Sequence, residues 1–386
     1  MKIAYICCSY GLTIYAIQAA TLRTFLQKNL NETIDVITSN CNCFYTNTSS
    51  AIKSLFNYKE FLNIKDSSFI MMPHFRLQEA STPGGFLRMA YRSFSEPARG
   101  YLYAKKTQNY DVVHFFQSSE SFGYEALKHF LRFSTKGKKV ITIYRLCSVQ
   151  KENPSLNKIY NTADAVIVST QFMKKTLCQS GVMENKIHVI PYGAHIQKNG
   201  GQQRSGAIMF SGSPLINVKG FEYLAPALKI LKQEGHPIQL TMHGYYMKGH
   251  KEWAGEVAKK AGIEDLILMT KFDTEEALRH AYQRSMCSLI PYTDYPGDFP
   301  MVMAMSSGTP IIATNCMGMD EYINGAGISV EPHSVSALAD ALRKVISSNL
   351  LREQMSAQGK KIAETVFAWD VVAGKTLNVY TTLSNS

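Results

Sequence analysis

No Cys-x-x-Cys pair occurs among the eight cysteines, and no Cys/His spacing fits a zinc site. A structural zinc module and a disulfide scaffold are therefore excluded. The cysteines read as small buried hydrophobes of a reduced, cytoplasmic protein. No acidic Asp-x-Asp cluster argues for a catalytic metal. Short-period repeats and low-complexity tracts are missing too. No secretory signal is expected, because Ser9-Tyr10-Gly11 interrupts the apolar start Met1–Cys8 too early for an h-region. The longest charge-free run, Phe299–Met319, contains Pro300, Gly308, Pro310 and Gly318. It reads as buried loop, helix and strand, not as a membrane span.

What is present is a globular composition of 386 residues, 45% hydrophobic and 18% charged. That length suggests two domains. Charge is uneven between them. Residues 1–199 carry 24 Lys and Arg against 12 Asp and Glu, a net +12, and residues 200–386 carry 17 against 18. A basic first half favours an anionic partner. Between Gly84 and Lys106, Arg88, Arg92, Arg99, Lys105 and Lys106 alternate with Phe86, Leu87, Met89, Tyr91, Phe94, Leu102 and Tyr103. Two readings remain open. One is a segment peripheral to an anionic membrane surface, and the other is an amphipathic helix with Arg on its solvated side. No recognition-helix or RNA signature is present, so nucleic acid is not expected as a partner.

The chain alternates strand and helix. Strands are expected at Lys2–Cys8, Ile34–Thr38, Asp111–Phe116, Lys139–Ile143, Ala165–Ser169 and Ile187–Pro191, with a helix at Thr13–Lys28. The polar, glycine-rich run Gln197–Gly206 reads as a linker. The pattern restarts with strands at Ala207–Ser211, Gln239–His243, Leu266–Thr270, Ser288–Pro291 and Pro310–Ala313, and with helices at Gly220–Glu234 and Glu275–Ser285. This predicts two doubly wound parallel sheets in tandem, with binding sites at the carboxyl ends of strands.

Four motifs sit at such ends. Phe210-Ser211-Gly212-Ser213-Pro214, followed by Asn217-Val218-Lys219-Gly220-Phe221, is a strand, a glycine turn and a helix start carrying one lysine. Backbone N–H groups and a lysine there suit a diphosphate. Pro291–Thr314 is a strand, a loop, a helix starting near Phe299, a Gly-Thr-Pro turn and a strand. Asn315–Gly327 follows, with Gly318, Asp320 and Glu321. Last comes Phe367-Ala368-Trp369-Asp370, leading to Tyr380.

Together these segments resemble glycosyltransferase family 4. Gly212 and Lys219-Gly220 stand where that family has Gly-Arg and Lys-Gly. Phe299–Thr314 matches its long Glu-Ala-Met-Ala-x-Gly-x-Pro stretch, and Gly318-Met319-Asp320-Glu321 resembles its Gly-x-Pro-Glu. Asp111–His114, Ala163–Ser169, Lys186–Gly193 and Trp369 look like other family segments. The resemblance implies an α/β protein of the GT-B fold, with two Rossmann-like doubly wound domains facing across a cleft. Residues 1–196 would bind the acceptor, residues 205–368 the nucleotide-sugar, and a C-terminal helix, 369–386, would cross back to the first domain. It implies a retaining glycosyltransferase using a UDP- or GDP-linked sugar, with no cofactor or metal. The acceptor hydroxyl would lie on a glycan, a glycolipid or a small metabolite. A non-catalytic nucleotide-sugar-binding or partner-stabilising protein is the alternative.

The resemblance assigns the donor to Gly11, Gly212, Ser213, Lys219, Phe272, Asp294, Tyr295, Asp298, Phe299, Pro300, Met303 and Glu321. It assigns catalysis to His114, Lys219 and Asp298, and the acceptor to Gln117, Glu120 and Arg145. Several positions depart from the family. Its paired glutamates fall on Tyr295 and Met303, so Asp294 or Asp298 would supply the carboxylate at the donor sugar; as alternatives, both cap the loop and helix. Ser213 replaces an arginine. Phe116 replaces the second histidine of a His-x-His motif, leaving Gln117 or Glu120 for the sugar contact. His114 is expected either as a catalytic group or as a core histidine.

Overall fold

The computed structural model describes residues 1–7, 14–30, 34–39, 69–72, 97–117, 124–144, 154–196, 206–211, 218–243, 249–270, 275–294 and 298–385. The chain divides into two compact units. The first is Met1–Pro191 with Val372–Ser386, and the second is Tyr192–Val371. The division falls inside the last helix, Trp369–Ser384.

The first unit holds a seven-stranded parallel sheet in the order β3-β2-β1-β4-β5-β6-β7. Its strands are β1 Ile3–Cys7, β2 Ile34–Ser39, β3 Phe69–Met72, β4 Val112–Gln117, β5 Lys138–Ile143, β6 Ala165–Val168 and β7 Ile187–Val189. Such strands are buried on both faces and read as continuous apolar runs; β1 is buried throughout. Alternate residues divide the sheet's two sides. Ala4, Ile6, Val113, Phe115, Ile141 and Ile143 enter an apolar core with Tyr103, Leu127 and Phe130. The opposite side carries Tyr5, His114 and Thr142, where Tyr5 and His114 are register partners.

The second unit repeats the topology with six parallel strands, ordered β10-β9-β8-β11-β12-β13. They are β8 Ala207–Ser211, β9 Gln239–His243, β10 Ile267–Thr270, β11 Cys287–Ile290, β12 Ile311–Thr314 and β13 Gly327–Val330. The helix Phe221–Gln233 buries Phe221, Leu224, Ala225, Leu228 and Leu231, a spacing of three and four that makes one apolar stripe. The helix Asp298–Ser306 is buried at every position from Met301 to Ser306. Burial on all sides explains the charge-free run: this helix and β12 lie inside the unit. Among the described residues, no helix is long and apolar enough to cross a membrane.

The strand and helix expectations hold to within a residue or two. The short strands β3 and β13 were not foreseen, nor was the π-helical turn Ala363–Phe367 that precedes the last helix. The glycine-rich segment read as a motif loop contributes Gly327 to β13.

Candidate functional site

In both sheets the order reverses beside the first strand. In the second unit that switch point lies between β8 and β11, where ligands of doubly wound sheets bind. Three connections knit it. The Thr293 N–H donates to the Val218 carbonyl at 3.0 Å. The Thr314 hydroxyl donates to the Tyr292 carbonyl. The Cys316 thiol donates to the same carbonyl at 3.2 Å. The segments after β8, β11 and β12 thus converge on Tyr292.

Lys219 lies at this convergence. It is 6% exposed, and its Nζ sits 3.6 Å from the centre of the Tyr292 ring. A desolvated cation over an aromatic face is held by the ring quadrupole. The next residue, Gly220, caps the helix Phe221–Gln233 with φ at 71°. A β-carbon there would lie 1.7 Å from the Pro291 carbonyl oxygen. Only glycine lets the β8 turn press this close to the end of β11. The helix starts two residues later than Lys219, so the ammonium and the positive end of the helix dipole lie together.

The second helix start is at Asp298, which is 3% exposed. Phe299 meets Tyr192 edge to face at 6.2 Å. Pro300 is partly buried and Met303 is buried, while Asp294 lies exposed beyond Thr293. Glu321 is exposed in the 3-10 segment Cys316–Tyr322. Burial pushes the Tyr322 hydroxyl well above its usual range, and the negative charges of Asp298 and Glu321 push it further. Lys219, Asp294, Asp298, Phe299, Pro300, Met303 and Glu321 therefore all belong to the second unit. Gly11, Gly212, Ser213, Phe272, Tyr295, Glu120 and Arg145 lie outside the described residues. Gln117 ends β4. Among the described residues, no three His, Cys, Asp or Glu side chains gather as metal ligands.

His114 is 0% exposed. Tyr380, from the last helix, donates its hydroxyl to Tyr5 Oη at 3.3 Å, so it accepts from His114 Nδ1–H. His114 Nε2 then accepts from the Thr142 hydroxyl at 2.6 Å. That tautomer follows from the network. The imidazole also stacks on Phe116 at 4.0 Å. This corrects the catalytic expectation for His114: a ring with no exposed atom and both nitrogens engaged is a core hub. Its role is to tie β4, β5 and the last helix of this unit together.

The hub makes a testable pH dependence. Burial lowers the His114 pKa from 6.5 to about 3. Between those values the unfolded chain holds a proton that the folded chain refuses, so stability falls as pH falls. The slope approaches about 1.4 kcal/mol per pH unit. We expect the urea midpoint to drop between pH 7 and pH 5, and to drop less in His114→Gln. Equal drops in the two proteins would contradict this role.

Sequence reasoning missed Tyr292 and the conformational demand on Gly220. The signal for Gly220 was a glycine between a strand-end loop and an apolar helix. Tyr292 had none beyond its place directly after Pro291.

Comparison with known proteins agrees with this fold. The profile of glycosyl transferases group 1 matches residues 195–362. That of glycosyltransferase family 4 matches residues 72–198. An uncharacterized glycosyltransferase of Methanocaldococcus jannaschii is 25% identical over 297 residues, covering 70% of this chain and 75% of that protein. An MMP alpha-(1->4)-mannosyltransferase of Mycolicibacterium hassiacum is 25% identical over 223 residues, 56% of this chain and 53% of that protein. The structure of Anabaena HepE in complex with UDP superposes with a TM-score of 0.70 at 14% identity, covering 99% of this chain and 100% of that one. Two tandem doubly wound units, a lysine and helix start at the second switch point, and family matches that run through both units lead to one conclusion: the chain is a glycosyltransferase of the GT-B fold, a family 4 region followed by a group 1 region.

Proposed function

We propose that the chain transfers a sugar, with retention of anomeric configuration, from a nucleoside diphosphate sugar to an acceptor hydroxyl. The observation that carries the reading is Lys219, a buried ammonium set over Tyr292 beside the start of the helix Phe221–Gln233. A cation, a helix dipole and N–H groups together favour a diphosphate. The likeness in fold to a protein solved with UDP supports a nucleotide-linked donor, UDP- or GDP-linked, for this chain.

The second unit binds the donor and the basic first unit binds the acceptor. As the bond between the sugar C1 and the diphosphate oxygen breaks, negative charge grows on that oxygen. Lys219 and the helix start stabilise it, and a site already arranged for this charge need not reorganise. The acceptor oxygen attacks C1 from the face the diphosphate leaves, and its proton passes to the departing phosphate oxygen. No cofactor is required, because Lys219 and the dipoles supply the positive charge. Asp298 supplies the carboxylate near the sugar. The carboxylate field it casts on Tyr322 supports a site of mixed charge at this helix start.

Proton NMR of the first-formed product tests the stereochemistry. An α-linked donor is expected to give an α-linked product. A β-linked product would replace same-face attack by inversion.

A further inference from the structure

We propose that the helix pair of residues 97–106 and Tyr124–Phe133, in the first unit, is a docking surface for an anionic lipid bilayer. The two helices touch almost backbone to backbone. A β-carbon at Gly100 would lie 2.3 Å from the Ala126 carbonyl oxygen and 2.6 Å from the β-carbon of His129. This approach brings Tyr101 against Phe133, edge to face at 5.4 Å. Both rings face outward, with Tyr101 50% exposed and Phe133 41%. The Arg132 guanidinium lies 5.7 Å from the centre of the Phe133 ring, and the His129 ring stacks beneath it. On their inner sides the same helices send Tyr103, Ala104, Leu127 and Phe130 into the core. The outward pair is thus an aromatic knob on a rigid base.

The structure also revises the reading of residues 84–106. Residues 84–96 lie outside the described residues. Arg99, expected on the solvated side, is buried, and the outward positions are Tyr101, Lys105 and Lys106. The second half of the patch comes from a helix the charge pattern did not single out.

Charge selects the occupant. The described residues between 97 and 139 carry eight Lys and Arg against two Asp and Glu. Lys105, Lys128 and Arg132 on the two helices, and Lys136 just beyond them, are exposed. Tyrosine and phenylalanine at headgroup depth, with long cationic side chains reaching the phosphates, is the chemistry of an anionic membrane interface. Each Lys or Arg at such a surface is worth about fivefold in partitioning. A second copy of this face would instead bring like charges together.

Flotation with phosphatidylcholine vesicles, and with phosphatidylcholine–phosphatidylglycerol vesicles, tests the proposal without any sugar nucleotide. Its outcome is therefore independent of the donor assignment. The protein is expected to float with the mixed vesicles only and to be released by salt. Tyr101→Ser/Phe133→Ser and Lys105→Glu/Lys128→Glu should each weaken binding at least tenfold while keeping the wild-type melting midpoint. Tyr101→Trp should shift its emission to the blue on the mixed vesicles. Equal binding to phosphatidylcholine alone, or unchanged binding in both double variants, would overturn the proposal. So would a solution dimer or duplex-DNA binding abolished by the double variants while vesicles bind nothing.

Discussion

Lys219→Met is expected to lower kcat/KM for the sugar nucleotide by about 10²–10³-fold, the usual loss when one preorganised charge at a developing anion is removed. Methionine keeps much of the lysine stem's volume, so the buried position stays filled and only the charge is lost. The loss should appear in KM and in kcat together. The ammonium meets the diphosphate in the bound donor and again as charge builds on the leaving oxygen. The Tyr292 ring gives the test a second arm. Tyr292→Phe keeps an aromatic face under the ammonium, which lies 3.6 Å from the ring centre, and should remain near wild type. Tyr292→Leu removes the face and should lower kcat/KM about tenfold, in keeping with a desolvated cation–π contact of about 1–2 kcal/mol. A Lys219→Met enzyme within threefold of wild type would end the phosphate assignment.

Gly220→Ala is expected to cost about 3 kcal/mol or more of the second unit's stability. The left-handed conformation alone costs an alanine about 1–2 kcal/mol. The rest comes from overlap, since the new carbon would sit 1.7 Å from the Pro291 carbonyl oxygen. Gly262 supplies the control. It has the same φ of 71° and no atom within 4 Å of its built β-carbon. Gly262→Ala should therefore show only the conformational cost. Urea unfolding of the two variants separates strain from collision, and equal losses would contradict the close approach of the β8 and β11 turns. Gly220→Ala should also weaken nucleotide binding, because relief of the clash must move the helix start or the Lys219 backbone.

Much of the fold was legible because parallel strands buried on both faces announce themselves as short apolar runs. Ile3–Cys7 and Ile311–Thr314 are examples, and parallel pairing follows from alternation with helices. Phe69–Met72 and Gly327–Val330 were not legible. Gly327 closes the run Gly325-Ala326-Gly327, which reads as a turn. A β-carbon at Gly327 would lie 2.6 Å from the Ile311 carbonyl oxygen, so its role is tight strand packing, a property invisible without the neighbour. Positions set by local sequence were legible: Lys219-Gly220 ahead of a helix start, and Asp298 at another. Positions whose partners are distant were not. His114 finds Thr142 28 positions away and Tyr380 266 positions away. Those two contacts turn a candidate catalyst into a core hub. The charge-free run Phe299–Met319 shows the converse: its composition suits a membrane, its prolines and glycines do not, and the latter decided correctly.

The central claim, a nucleoside diphosphate held at the second switch point, is tested most directly by thermal melting. Wild type and Lys219→Met would each be melted with UDP, GDP, ADP, dTDP and CMP, with and without their sugars. A nucleotide at 100 times its dissociation constant adds about 2.7 kcal/mol of stability to the state that binds it. The account predicts a raised midpoint with one diphosphate class in the wild type, and a shift largely lost in Lys219→Met. A wild type that melts unchanged with every nucleotide, or an equal shift in both proteins, would contradict it.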